Sequence, residues 1–242
     1  MVSCRGSRGK DVVLRSPNVI RCVLFDAVGT LIYPHPSVAA VYQAAGVAKG
    51  CDLPIETVRT RFHEALRLYA VSPDLRSDET LERERWGRIV DHVFAESDKT
   101  DEILDRLWNH FAKCDNWSVY KDALPVLETL SRTYRVGLAS NFDRRLRTVA
   151  GHWPCLSDAM VFVSSEVGWA KPSPHYFAAI AQVLQLQPHQ ILLVGDDARN
   201  DYHGATAAGY QALFLTRDGK QPEEIPSEAT IESLQEVIER LA

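Results

Sequence analysis

Four short stretches of the 242-residue chain carry side chains that could do chemistry, three of them directly after apolar runs. The first runs Phe25, Asp26, Ala27, Val28, Gly29, Thr30 and Leu31, behind the hydrophobic Cys22 to Leu24. A carboxylate just past a buried strand, with a glycine that permits a sharp turn, is held on rigid backbone and can act as a nucleophile. The same Asp could simply open a turn through its own side-chain hydrogen bonds. The fourth stretch follows Leu192 to Gly195 and carries Asp196, Asp197 and Asp201. Three carboxylates crowded at one strand end repel one another unless a cation or a lysine compensates them, and an oxygen-only donor set suits a hard divalent ion, Mg2+. For Asp201 a place near a helix start, where the macrodipole favours negative charge, is the competing role.

Between these lie two smaller groups. Ser140 and Asn141 end the run Val136 to Ala139 and could donate to a phosphoryl oxygen, although Ser and Asn also cap helices. Lys171 stands before Pro172, which keeps it extended and able to aim an ammonium into a site, where a lone lysine would otherwise be solvated.

These residues need a scaffold that brings strand ends together. Strand-length apolar runs recur at Val19 to Phe25, Val136 to Ala139, Met160 to Val163, Ile191 to Val194 and Ala212 to Leu215. Helical spacing fills the gaps at Ala123 to Arg132, Arg144 to Gly151, Pro174 to Leu186 and Asn200 to Gly209. The alternation predicts an α/β fold, a doubly wound, mostly parallel sheet covered on both faces. From Pro36 to Ala112 the pattern is helical throughout, with amphipathic segments at Val38 to Ala45, Ile55 to Tyr69, Thr80 to Phe94 and Asp101 to Phe111, punctuated by Pro54 and by Ser72-Pro73. The expected organisation is a flexible tail over 1–17, an α/β core over 18–35 and 113–242, and an inserted all-helical cap over 36–112 placed to cover the strands' carboxyl ends.

Composition narrows the function. With 45% hydrophobic and 24% charged residues the chain is globular in class, and 27 Lys and Arg against 32 Asp and Glu leave a net charge of -5. That is not the basic footprint of a nucleic-acid binder, so no nucleic acid is expected. No apolar run approaches the roughly 20 residues that cross a bilayer, so no membrane span is expected. Five scattered cysteines without a CxxC pair fit a reducing, cytoplasmic setting. Residues 1–17 carry Arg5, Arg8, Lys10 and Arg15 without the apolar segment of a secretory signal; a misassigned start or an organelle address reads the same way. A small-molecule substrate, handled by a monomer or homodimer, is the expectation.

Together and in this order, the four stretches resemble the haloacid dehalogenase-like hydrolase superfamily over roughly Val19 to Leu215, with the helical insert similar to that family's cap after the first motif. The resemblance implies that Asp26 forms a covalent intermediate and Lys171 steadies the charge. It implies that Ser140 and Asn141 hold the transferring group, with Gly29 and Thr30 on the nucleophile loop beside them. Asp196 and Asp201 would position Mg2+ with Asp26, helped by Asp197 and by the backbone carbonyl of Val28.

At Val28 the chain departs from the pattern, because phosphatases of the superfamily carry an aspartate there. An isopropyl group cannot move a proton, and general acid-base help is worth about 100-fold to 10,000-fold. Leaving groups stable as anions, in acyl phosphates, anhydrides or aryl phosphates, suffer least. The dehalogenases of the superfamily use no metal and carry an uncharged residue at this position, so 2-haloacid dehalogenation by Asp26 competes, opposed by the charge of Asp196, Asp197 and Asp201. A binding or regulatory protein of the same fold is the third class. His35, set between Pro34 and Pro36 close behind the nucleophile loop, is the first candidate for a substitute group at the substrate. Arg83 and Arg85 could meet a substrate anion or form a solvated helix face. A phosphohydrolase acting on a small phosphorylated metabolite with Mg2+ is the expectation.

Overall fold

The computed structural model describes residues 20–69, 74–157, 159–217, 219–220 and 222–242. The expected 1–17 tail, Val19 and the Ser72-Pro73 break lie outside them. Eight strands follow in chain order: β1 (Cys22–Phe25), β2 (Ile32–Pro34), β3 (Trp117–Val119), β4 (Arg135–Ser140), β5 (Met160–Val163), β6 (Ile191–Gly195), β7 (Gln211–Leu215) and β8 (Thr230–Ile231). Six form one sheet in the order β5-β4-β1-β6-β7-β8, with every pairing parallel. Both its faces are buried, as the short continuous apolar runs require. Val23 and Phe25 of β1, with Leu192 and Val194 of β6, join one hydrophobic cluster; the alternate residues Cys22, Leu24, Ile191 and Leu193 join another on the opposite face.

Among the described residues, eleven α-helices accompany the strands: α1 (Val38–Val47), α2 (Ile55–Tyr69), α3 (Glu79–Val93), α4 (Thr100–Phe111), α5 (Ala123–Ser131), α6 (Arg145–Ala150), α7 (Pro154–Ser157), α8 (Ser164–Val167), α9 (Pro174–Leu184), α10 (Gly204–Ala207) and α11 (Gln235–Leu241). Helices α5, α6 and α11 cover the first face through Val126, Leu146 and Val237, and α9 covers the second through Tyr176, Phe177 and Ile180. The helix expected from Asn200 begins instead as a π-helical turn over Ala198–His203 and becomes regular only at α10.

Helices α1 to α4 close a hydrophobic cluster of their own around Tyr42, Phe62, Ile89, Phe94 and Ile103. Val58, Phe62 and Ala65 recur on one face of α2 at the helical period, and the Ser37 and Asp78 side chains cap α1 and α3 by accepting from the amides of Ala40 and Leu81. Full burial of an aromatic such as Phe62 or Phe94 contributes about 1.5–3 kcal/mol, which lets this unit hold together away from the sheet. The chain leaves for these helices along β2 and returns along β3, and the two pair antiparallel from Ile32 opposite Val119 to Pro34 opposite Trp117. With three residues each, neither has room for a visible alternation, which is why the sequence pattern does not announce them.

A polar seam joins α3 to the core on one side. Buried Glu82 accepts from the hydroxyls of Ser77 and of Ser164 in α8, and pairs with Arg85. Beside it Glu79 accepts from the Ser165 hydroxyl at 2.6 Å and pairs with Arg144 at 3.0 Å. Among the described residues, no helix is long and apolar enough to cross a membrane.

Candidate active site

The central strands β1, β4 and β6 all point their carboxyl ends at one place, and the reactive residues stand where those strands stop. The Asp26 amide still donates to the Val194 carbonyl at 2.9 Å, so the carboxylate is fixed by the last rung of the sheet. The chain then turns back on itself, with the Leu31 amide donating to Ala27. Gly29 adopts φ +91, and a Cβ there would lie 2.2 Å from Oδ2 of Asp196, so only glycine allows the acid of β6 to come this close. The Thr30 hydroxyl donates to Asp196 Oδ1 at 3.0 Å and holds it.

Gly195 plays the matching part at the end of β6, where a Cβ would lie 2.2 Å from Oδ2 of Asp201. Asp201 is buried inside the π-helical turn and accepts from the Asp197 amide at 3.1 Å. Lys171 is 1% exposed, and its ammonium spends all three donors, on Asp26 Oδ1 at 2.7 Å, Asp201 Oδ1 at 2.5 Å and the Ala139 carbonyl at 2.7 Å. The Lys171-Pro172 peptide bond is cis.

One ammonium therefore faces three carboxylates. Asp26, Asp196 and Asp201 each offer an oxygen within 4.8 Å of the others. Burial pushes the Asp201 carboxyl up to about 7, with the Asp26 charge adding to it against the opposing pull of Lys171. Asp196 keeps open surface at the mouth of the site, yet the protein atoms crowding its carboxyl, followed by the Asp26 charge, push it up to about 6. Burial by itself would lower the Lys171 pKa, but Asp201 and Asp26 outweigh it and raise it. Acids held in this protonated range are acids short of positive charge, and the convergent hard oxygens are donors that suit Mg2+.

Above the cluster lies a cavity of about 450 Å3, bounded by Asp26, Val28, Ser140 and Lys171 below and by Arg67 of α2 and Arg85 of α3 above. Ser140, the last residue of β4, is buried at its wall. Arg83, weighed beside Arg85 from the sequence, is instead paired with Asp105 within the helical unit.

Several expected roles change. Asn141 lines the cavity, and its amide is engaged with the main chain of Lys171, donating to the carbonyl at 2.9 Å and accepting from the amide at 2.7 Å. Gly29 and Thr30 serve Asp196 and are not among the residues that line the cavity. Asp197 is a helix cap, with one oxygen accepting from the Asn200 amide and the other from the Asn200 side chain, both at 2.8 Å, and it stands outside the three-carboxylate cluster. His35 is exposed beyond β2, its amide donating to Asn116, and does not line the cavity. Val28 does line it.

Arg217, just past β7, has no counterpart in the sequence reading. Its guanidinium donates to the carbonyls of Gly29 at 3.2 Å and Thr30 at 2.6 Å, pairs with Asp122 and lies 3.7 Å from the Tyr120 ring centroid. It braces the nucleophile turn from behind, and no local motif marks it.

The family model for haloacid dehalogenase-like hydrolases matches residues 20–209. The chain is 27% identical over 235 residues to the haloacid dehalogenase-like hydrolase domain-containing protein 3 of Xenopus laevis, covering 92% of this chain and 96% of that one. Among solved structures, a HAD phosphatase from Thermococcus onnurineus superposes with a TM-score of 0.67 at 23% identity, covering 92% of this chain and 98% of that one. A 2-haloacid dehalogenase from Pseudomonas syringae does so with a TM-score of 0.64 at 21% identity, covering 93% and 100%. At these identities the two structures speak for the fold.

Proposed function

The chain belongs to the haloacid dehalogenase-like hydrolases, and we propose that within them it is a Mg2+-dependent phosphohydrolase acting on a small phosphorylated compound through Asp26. One observation carries the proposal: three carboxylate oxygens of Asp26, Asp196 and Asp201 converge within 4.8 Å against a single ammonium. A site for an anionic substrate that used no cation would be repulsive as built.

Asp26, Asp196 and Asp201, with the Val28 carbonyl, would hold the ion, which when bound supplies positive charge to the phosphoryl oxygens. Asp26 attacks phosphorus: a bond forms from its carboxylate oxygen, the bond from phosphorus to the leaving oxygen breaks, and the electron pair departs with that oxygen. Water then attacks phosphorus of the aspartyl phosphate, the bond from phosphorus to the Asp26 oxygen breaks to restore the carboxylate, and of the water's two protons one stays on inorganic phosphate while the other moves to a second phosphate oxygen or to solvent. Lys171 orients Asp26 and offsets its charge, Ser140 faces the transferring group, and Arg85 and Arg67 meet the substrate from above. Val28 holds no proton to give, so the favoured leaving oxygens are those stable as anions. The helices of 36–112 act as the cap that excludes water. A reducing compartment, the cytoplasm, suits a chain whose Cys22, Cys51, Cys114 and Cys155 are all unpaired.

Val28 also favours a second reading, dehalogenation of a 2-haloacid by Asp26, since a departing halide needs no proton. The excess of carboxylates weighs against it. Purified protein assayed with acetyl phosphate, with Mg2+ or a chelator, tests the proposal. Metal-dependent phosphate release that vanishes in Asp26→Asn supports it, and chelator-insensitive halide release from a 2-haloacid would replace it with dehalogenation. Saturable ligand binding without any turnover would mark a binding protein.

A further inference from the structure

A second cavity, of about 270 Å3, opens from the first between the helical unit and the core. Val28, Leu66 and Asn141 line both, so the two are compartments of one space. Beyond that boundary the walls are aromatic and aliphatic: Tyr42, Phe62, Trp86, Trp108, Phe111 and Phe142. Three polar side chains of the lining, Trp117, Asn141 and Arg145, are engaged within the protein. Trp117 donates its indole N–H to the Phe111 carbonyl at 3.1 Å, and Asn141 is engaged with Lys171. The one ionic side chain of the lining, Arg145, is paired with buried Asp143 at 2.6 Å, donates to the Trp108 carbonyl and lies 3.5 Å from the Trp108 ring centroid. Such a chamber offers a ligand dispersion and burial without a free charge to answer.

We infer, on the strength of the phosphohydrolase reading above, that the substrate's leaving group carries a neutral aromatic body of one or two fused rings, which occupies this chamber while its phosphoryl group sits over Asp26. Size supports the assignment, because a cavity of about 150 Å3 lined by apolar side chains suffices to bind benzene, and this one is larger. Position supports it as well. Val28 stands at the junction, on the wall between the reacting oxygen and the aromatic residues. A carboxylate there would be desolvated against indole and phenyl rings, whereas an isopropyl group extends the apolar surface up to the reacting centre. The residue that withholds acid catalysis thus belongs to the surface that selects an aryl or aroyl leaving group, one that departs as an anion without acid help.

The test is a series of acyl phosphates whose carboxylic leaving groups are of similar acidity, acetyl, benzoyl and 2-naphthoyl phosphate, assayed on the full chain with Mg2+. We expect kcat/KM to rise at least about 30-fold from acetyl to 2-naphthoyl, since each ring buries apolar area on binding. The naphthoyl-to-acetyl ratio should fall about 10-fold in Trp108→Ala and in Val38→Trp, which empty and fill the chamber respectively. The wild-type series alone keeps the inference exposed if a variant fails to fold. Phosphate release at equal kcat/KM across the series overturns the inference and leaves the phosphohydrolase reading standing. No phosphate release from any member overturns that reading, and the inference falls with it.

Discussion

The side-chain amide of Asn141 pairs with the main chain of Lys171 in both directions, across 2.9 Å and 2.7 Å, and so fixes the residue whose ammonium reaches Asp26. Replacing it should misplace the ammonium without removing it. In Asn141→Ala we expect kcat on acetyl phosphate to fall about 10-fold to 100-fold with KM nearly unchanged, the mark of lost positioning. A rise in KM with kcat preserved would return Asn141 to the substrate-binding role that its place after β4 suggests.

The pH dependence of stability follows from Asp196 and Asp201, held up at about 6 and about 7 against an ordinary 3.8 by burial and by the Asp26 charge. Between these values the folded, metal-free protein keeps protons that the unfolded chain has released. Their contribution to stability is therefore fully present below 3.8, falls as pH rises, and is gone above about 7. Mg2+ needs the ionised acids, so the increase in thermal midpoint it produces should be larger near about pH 8 than near about pH 5.5. Equal increases at both values, read by calorimetry, would show that these carboxylates do not bind the ion.

Arg217 reaches the carbonyls of Gly29 and Thr30 from the far end of β7. Arg217→Ala should lower stability by about 1–3 kcal/mol in urea unfolding and reduce kcat further than that loss of folded protein accounts for. Lysine should rescue only part of the effect, because a single ammonium cannot span both carbonyls and Asp122 as the planar fork does. Full activity in Arg217→Ala would mean that the turn keeps its shape unaided.

Val28→Asp supplies the missing proton carrier and should raise kcat/KM on an alkyl phosphate such as glycerol phosphate by about 10-fold or more, within the range of general acid catalysis. The gain should come with a weaker preference for aromatic leaving groups. An unchanged rate on the alkyl ester would indicate that another group already moves the proton.

How far the sequence reveals this site depends on the kind of information each residue carries. Asp26 and Asp196 are legible because each directly follows an apolar run that predicts a strand end, and parallel strands bring such ends together; Lys171 is marked by the proline after it and Asp201 by its place in the acidic stretch behind β6. The six-stranded sheet is legible for the same reason, in five of its strands; β8, with two residues, is too short to show. Thr30, Asn141 and Asp197 are placed near the chemistry, but their protein partners are not legible, because position along a strand says nothing about which neighbour a hydroxyl, amide or carboxylate will find. Arg217 is invisible from sequence, since its contacts with Gly29 and Thr30 join residues nearly two hundred positions apart. The aromatic chamber is hidden likewise: its tryptophans and phenylalanines read as ordinary core until the helices are seen to stop short of the sheet.

The seam between α3 and α8 also bears on how a substrate gets in. Glu79 and Glu82 meet Ser164 and Ser165 through hydrogen bonds that water can replace at little net cost, and the other side of the same junction is hollow. Parting the two bodies there rehydrates carboxylates, while the contact of Phe111 with Trp117, their ring centroids 5.9 Å apart, joins helices and core elsewhere along the junction. Under the reading proposed above, a guest that fills the hollow would add adhesion between the two bodies, and release of the spent aromatic fragment would loosen them for the next cycle.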